Sequence, residues 1–133
     1  MSLLKNKRVL IVEDDEILRE VICEEFITNE CLVSSALSGN QALKKISEEA
    51  LFDIIVTDVQ MPDGDGVFLL EKLKSLSLKL NPVIIMVSGY SDLPTEELIK
   101  KGAHIVLSKP FDLNDLIDTA TQLIQARHSI KVS

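Results

Sequence analysis

Carboxylates are scattered through this chain, but three of them stand where an apolar run stops. Asp58 follows Ile54-Ile55-Val56-Thr57 and precedes Pro62, Gly64 and Gly66, so it falls at the exit of a segment that reads as a buried strand, just before a turn. Glu13 and Asp14 follow another apolar run, Val9-Leu10-Ile11-Val12. Ser88 ends a third, which begins at Val83, and Lys109 comes just after a fourth, Ile105-Val106-Leu107. If one fold gathers these ends, the chemistry is constrained. Three carboxylates repel one another, so they must take up protons or share a cation. An all-oxygen set suits a hard divalent ion such as Mg²⁺ (or Mn²⁺), which keeps waters that a phosphate displaces. Lys109 supplies a fixed positive charge for a phosphoryl oxygen and Ser88 a hydroxyl for another. A carboxylate nucleophile that accepts a phosphoryl group needs such a set.

The elements that must position these residues alternate in type. The run at Val9 to Val12 predicts a first strand. Leu18, Val21, Ile22 and Phe26 follow a helical period, with Asp15 as its N-cap. Cys31 to Leu37 reads as a second strand, weakly patterned and near a sheet edge. Ser38 caps a helix carrying Ala42, Leu43 and Ile46 on one face. After the strand at Ile54, a third helix is lined by Leu69, Leu70, Leu73 and Leu76 and broken by Asn81-Pro82. The fourth strand is Val83 to Val87. A short helix from about Pro94 to Lys101 stops at Gly102. The fifth strand is Ile105 to Leu107, and the last helix carries Leu113, Leu116, Ile117, Ala120, Leu123 and Ile124, with a short polar tail after Arg127. Five strands alternating with five helices imply a parallel sheet covered on both faces, a doubly wound α/β domain. In such sheets ligands bind beyond the carboxyl ends of the strands, where strand order reverses. The chemistry-bearing residues all fall on that rim.

Length and composition agree with one such domain. The chain has 133 residues, of which 46% are hydrophobic but only 4% aromatic, so the core is aliphatic. A net charge of −7 argues against nucleic acid as a direct ligand, because phosphate backbones need a basic surface. Cys23 and Cys31 are too few for a disulfide framework or a zinc site and read as packing residues in a reducing compartment. No stretch reaches membrane-spanning length and no signal peptide is visible. A cytoplasmic location is expected.

The four segments VLIVEDDE, IIVTDVQMPDGDG, IIMVSG and LSKPF, in this order, resemble the receiver domain of bacterial two-component response regulators. The resemblance runs from Arg8 to about Arg127, leaving 1–7 and 128–133 as terminal tails. It implies a flavodoxin-like (βα)₅ fold with strand order 2-1-3-4-5. It implies that Asp58 is phosphorylated by a histidine kinase or a histidine phosphotransfer protein. By the same resemblance Asp14 holds Mg²⁺ directly and Glu13 through a water, with Asp58 and the main-chain carbonyl of Gln60 as further ligands. Ser88 and Lys109 match the pair that binds the phosphoryl group, and the Lys109-Pro110 bond is expected to be cis. The sequence departs from the family at Val106, where many receivers carry an aromatic residue that reads out the switch; Tyr90 is the nearest aromatic substitute. The downstream target is either a separate protein or an output domain beyond this chain.

Blander readings exist for each part. Glu13 to Glu16 is also an acidic turn that favours a helix start, Asp58 a turn residue, Ser88-Gly89 ordinary turn chemistry, and Lys109 a surface lysine. Their common placement at strand exits favours the joint reading. Asp63-Gly64-Asp65-Gly66 suggests a calcium loop but fails its ligand spacing, since Met61 and Lys72 fall at its first and last positions. His104 and His128 lie near no second ligand. Two other function classes compete. A phosphohydrolase with an aspartyl intermediate wants an acid two residues after the nucleophile, where this chain has Gln60, so no turnover of an external substrate is expected. A binding module without phosphorylation is disfavoured by the complete acid set.

Overall fold

A computed structural model describes residues 2–49, 51–76, 81–89 and 93–132, with side chains up to Arg127. The elements are β1 (Arg8–Val12), α1 (Glu16–Thr28), β2 (Leu32–Ala36), α2 (Gly39–Glu49), β3 (Ile54–Asp58), α3 (Gly66–Lys74), β4 (Val83–Ser88), α4 (Thr95–Lys100), β5 (Ile105–Ser108) and α5 (Leu113–Val132). The strands form one parallel sheet in the order β2-β1-β3-β4-β5. The chain steps from β1 outward to β2, then returns past β1 to β3. The order therefore reverses between β1 and β3, and their carboxyl ends flank the crevice.

Alternation along the strands divides the core into two layers. Leu10, Val12, Ile55, Ile84 and Met86 pack with Ala42 and Ile46 of α2, Leu69, Leu70 and Leu73 of α3, and Leu98 of α4. Val9, Ile11, Ile54, Val56, Ile85 and Val87 pack with Ile22 and Phe26 of α1 and with Leu116, Ala120 and Ile124 of α5. All five residues of β3 are buried, as a central strand requires, whereas β2 at the edge is exposed or half-buried until Ala36. Leu4, in the segment expected to be a tail, is fully buried in the second layer, where its carbonyl accepts the Cys31 thiol at 3.3 Å. Burial pushes that thiol up to about 11, which suits a packing residue.

Helix starts follow the capping chemistry. The N–H of Leu18 donates to Asp15 Oδ1 at 3.1 Å, that of Gln41 to Ser38 Oγ at 3.1 Å, and that of Phe68 to Asp65 Oδ1 at 2.8 Å. Helix ends differ more from expectation. α3 stops at Lys74, well before Asn81-Pro82, because the Ser75 hydroxyl donates back to the Lys72 carbonyl at 2.8 Å and competes with the next turn. Leu76, expected on the buried side, is 42% exposed. Pro94 is the N-cap of α4 and not its first helical residue. Gly102 ends that turn at φ +126, a conformation glycine adopts freely. α5 continues past Arg127 to Val132, since no glycine or proline interrupts that stretch. Arg127 anchors it to the sheet, donating from Nη2 to Asp53 Oδ1 at 2.8 Å.

His104 precedes β5 and acts as a strand-end residue. Its N–H donates to the Ile84 carbonyl at 2.8 Å, and its Nδ1 accepts the Ile84 N–H at 2.9 Å. The second bond requires an unprotonated Nδ1, and burial of part of the ring lowers its pKa below the ordinary 6.5. The unfolded chain therefore binds this proton more readily, so the His104 contribution to stability falls as pH drops below about 6.5, opposite in sign to that of a carboxyl whose folded pKa is raised. Urea titrations between pH 7.5 and 5.5 should show the stability of His104→Gln, relative to the unaltered protein, improving as pH falls. A difference that does not change with pH would mean that His104 makes no such contribution.

Candidate functional site

Register builds the site before any side chain is considered. β1 pairs with β3 so that Val12 faces Thr57; the next residues on each strand, Glu13 and Asp58, are therefore neighbours at the rim. Asp58 in turn faces Val87 of β4, one residue before Ser88, and Ser88 faces Ser108 of β5, one residue before Lys109. The Lys109 N–H donates to the Ser88 carbonyl at 2.9 Å, which continues the pairing past the strand end. The Lys109–Pro110 bond is cis, as the resemblance implies.

The side chains then converge. Lys109 Nζ donates to Asp58 Oδ2 at 3.0 Å and lies 3.6 Å from Glu13 Oε1. Glu13 is 3% exposed and Asp58 6%, whereas Asp14 is exposed. One oxygen from each of Glu13, Asp14 and Asp58 lies within 4.8 Å of the others. Glu13 Oε2 also accepts the Asp15 N–H at 3.1 Å. Burial pushes the Glu13 carboxyl up to about 7, helped by the Asp58 charge and opposed by the Asp15 N–H and by Lys109. For Lys109, burial disfavours the charge, but the hydrogen bond and the charge of Asp58, joined by Glu13, outweigh it and raise its pKa above the ordinary 10.5. The site thus holds three carboxylates against one ammonium, and burial favours the protonated form of one of them. The residual negative charge and the all-oxygen donor set fit a hard cation.

The remaining expected residues divide. Ser88 is half-buried at the end of β4, its hydroxyl donating to the Gly89 carbonyl at 3.2 Å. Gln60 is exposed on the rim two residues past Asp58. Val106 faces Met86 across β4–β5 and packs against the first core layer, away from the rim by two residues. Tyr90 lies outside the described residues, as does the side chain of His128.

Two supports were not legible in the sequence. Arg19 donates from Nη1 to the Glu13 carbonyl at 3.1 Å, pinning the acidic turn. A cation within a turn of the α1 N-terminus opposes the helix dipole, and that misfit is the signal that could have drawn attention to it. The second support is the loop after β3. Asp63 accepts from Ser38 Oγ at 3.2 Å and Asn40 Nδ2 at 3.0 Å, and the Gly39 N–H donates to the Gly64 carbonyl at 2.6 Å. Asp63 is thereby spent on holding α2. Among the described residues neither Asp63 nor Asp65 joins a metal-capable acid group, in keeping with the failed calcium-loop spacing.

A doubly wound sheet with an acidic crevice at its switch point defines a class of α/β domain, and comparison with known proteins narrows it. The family model for the response regulator receiver domain matches residues 9–121, and the chain belongs to that family. It is 35% identical over 123 residues to the transcriptional regulatory protein ZraR of Escherichia coli, covering 91% of this chain but 27% of that protein. It is 32% identical over 116 residues to the hybrid signal transduction histidine kinase A of Dictyostelium discoideum, covering 84% of this chain and 5% of that protein. The chain thus spans a minor part of these relatives. The crystal structure of a CheY-like response regulator receiver domain protein from Methanospirillum hungatei superposes with a TM-score of 0.84 at 28% identity, covering 94% of this chain and 98% of that one. The Francisella response regulator 1452 receiver domain gives 0.81 at 29%, covering 92% and 99%. No helix among the described residues is long and apolar enough to cross a membrane.

Proposed function

We propose that Asp58 is the phosphoacceptor of a two-component phosphorelay. The observation that carries this reading is the 3.0 Å pairing of a nearly buried Asp58 with Lys109 inside a cluster of three carboxylates. Asp58 Oδ attacks the phosphorus of a phosphohistidine, the P–N bond breaks, and the imidazole leaves with a proton from solvent. Lys109, kept charged by its partners, moves from pairing Asp58 to pairing a phosphoryl oxygen. Ser88, carried on the adjacent strand end, donates its hydroxyl to another. Glu13, Asp14, Asp58 and the Gln60 carbonyl would hold Mg²⁺, which supplies charge neutralisation for the transferring group.

The donor is a histidine kinase or a histidine phosphotransfer protein, and the phosphorylated domain presents an altered surface to a protein target or to an output domain joined to it. The protein works in the cytoplasm, without direct contact to nucleic acid or membrane. No external substrate is turned over, because Gln60 replaces the acid that a phosphohydrolase needs at that place.

The test is incubation with Mg²⁺ and a small phosphodonor such as phosphoramidate. The expected result is a mass gain of one phosphoryl group, labile to hydroxylamine as an acyl phosphate is, and mapped to the peptide holding Asp58. A stable adduct on Ser88 or any other hydroxyl would overturn the reading. A second measurement follows from Glu13. Its proton competes with a cation, so Mg²⁺ should bind more weakly as pH falls through about 7 and should release protons on binding there. Calorimetry in buffers of different ionisation enthalpy reads this release. Glu13→Gln should abolish it.

A further inference from the structure

At the end of the sheet opposite Asp58, the close of α3, the start of β4 and the turn between α4 and β5 enclose a pocket of about 340 Å³. We propose that this pocket binds a small organic anion, an apolar body bearing one carboxylate, with the carboxylate facing Lys74, Lys101 and His104.

The floor is apolar. Leu70, Leu73 and Ile84, which belong to the first core layer, line it. The polar rim is formed by Asn81, His104 and two lysines. In a chain with 21 acidic and 14 basic residues, none of the lining residues is acidic, and two are lysines. Neither lysine takes part in an ion pair among the described residues. Lys74 Nζ donates to the Lys100 carbonyl at 3.2 Å, which holds the ammonium beside the end of α4. His104 accepts the Ile84 N–H on Nδ1, so in its neutral form the ring carries its proton on Nε2, a third donor.

The donor set and the volume together select the ligand. The volume lies at the low end of pockets for small molecules. A bare inorganic ion would leave the floor unused, and a neutral apolar molecule would make no use of the two rim ammonium groups, of which Lys74 is exposed and Lys101 half-buried. Lys74 is already shared with the α4 carbonyl, so one negative charge, not two, matches what remains. A planar carboxylate accepts from more than one donor at once.

Phenylacetate is the probe, with acetate, benzyl alcohol and inorganic phosphate as controls. The readout is the NMR signal of the Gly102 amide and the His104 ring, far from the Asp58 site. Phenylacetate should shift both with a saturable, millimolar-range response. The three controls should bind at least about tenfold more weakly, and Lys101→Gln should weaken phenylacetate by about tenfold, the effect of losing one charge-assisted hydrogen bond. Lys101→Gln leaves the Lys74 contact to α4 intact, so its folded spectrum is a fair reference. The proposal is overturned if phenylacetate gives no saturable shift there, if benzyl alcohol or phosphate binds equally well, or if Lys101→Gln changes nothing. Shifts confined to the neighbours of Lys109 would also overturn it, since they would place the anion in the other site.

Discussion

Asp58→Asn should abolish the phosphoryl adduct entirely and leave the domain folded. The amide cannot act as nucleophile, and none of the other carboxylates pairs as closely with Lys109; Glu13 stands 3.6 Å away against 3.0 Å for Asp58. The pH dependence of stability has a definite sign. Glu13 has its folded pKa raised to about 7 from 4.5, so its contribution is fully present below pH 4.5 and is lost as pH rises through 7. Part of that loss comes from the Asp58 charge. Replacing Asp58 with a neutral amide of the same shape should therefore make metal-free stability fall less steeply between pH 5 and pH 8, on top of a pH-independent cost from losing the charge that Lys109 pairs at 3.0 Å. Thermal melts at pH 5 and pH 8 read the difference between the two proteins, which should shift in favour of the variant at the higher pH. An adduct that persists in the variant would remove Asp58 from the mechanism.

Gly66→Ala should be severely damaging for a change of one methyl group. Gly66 is the first residue of α3, and its N–H donates to the Val59 carbonyl at 2.9 Å, folding the loop back over β3. A Cβ there would collide with the Asp58 carbonyl oxygen and lie 2.6 Å from the Met86 terminal methyl and 3.1 Å from the Val59 Cα. Met86 can move, but the backbone at Asp58 cannot without disturbing the acidic cluster. The expected cost is about 3 kcal/mol or more, with slower adduct formation in whatever remains folded. Gly102→Ala is the control. Its added methyl meets nothing closer than 3.7 Å, so only the positive φ is strained, at about 1–2 kcal/mol. Equal denaturation midpoints for the two variants would mean that the contact at Asp58 relaxes freely.

What could be read before the structure was known follows from which forces are local. The buried run before Asp58 and the period of α5 are patterns of adjacent residues, and both are found where they were expected. The layer assignment follows from alternation alone. Strand order does not, because periodicity cannot say which strand lies beside which; it came from the resemblance. The end of α3 was misplaced because the competing signal is one serine hydroxyl turned onto a carbonyl, weaker to the eye than Asn81-Pro82. Leu4 was set aside because a single leucine before the first strand has no period. In the sequence Arg19 is one more charge in a helix rich in charges, and its bond to the Glu13 carbonyl has no local signature. The pairings of Glu13, Asp58 and Lys109 were legible as a set of strand exits. The protonation of Glu13 was not, since it depends on a depth of burial that only the packed rim determines.

The division of the sheet into two layers makes the position of Asp58 a matter of parity. Each residue of β3 answers to one helical layer or the other, and no intermediate setting exists. Lengthening the loop after Val59 by one residue leaves that count alone, so the acid stays in place even if the loop bulges. Inserting one residue within Ile54 to Thr57 exchanges the two layers and turns the strand's last side chain to the wrong face. Asp58 is thus located by an integer, and tolerance to insertion or deletion changes abruptly at its own position in the chain.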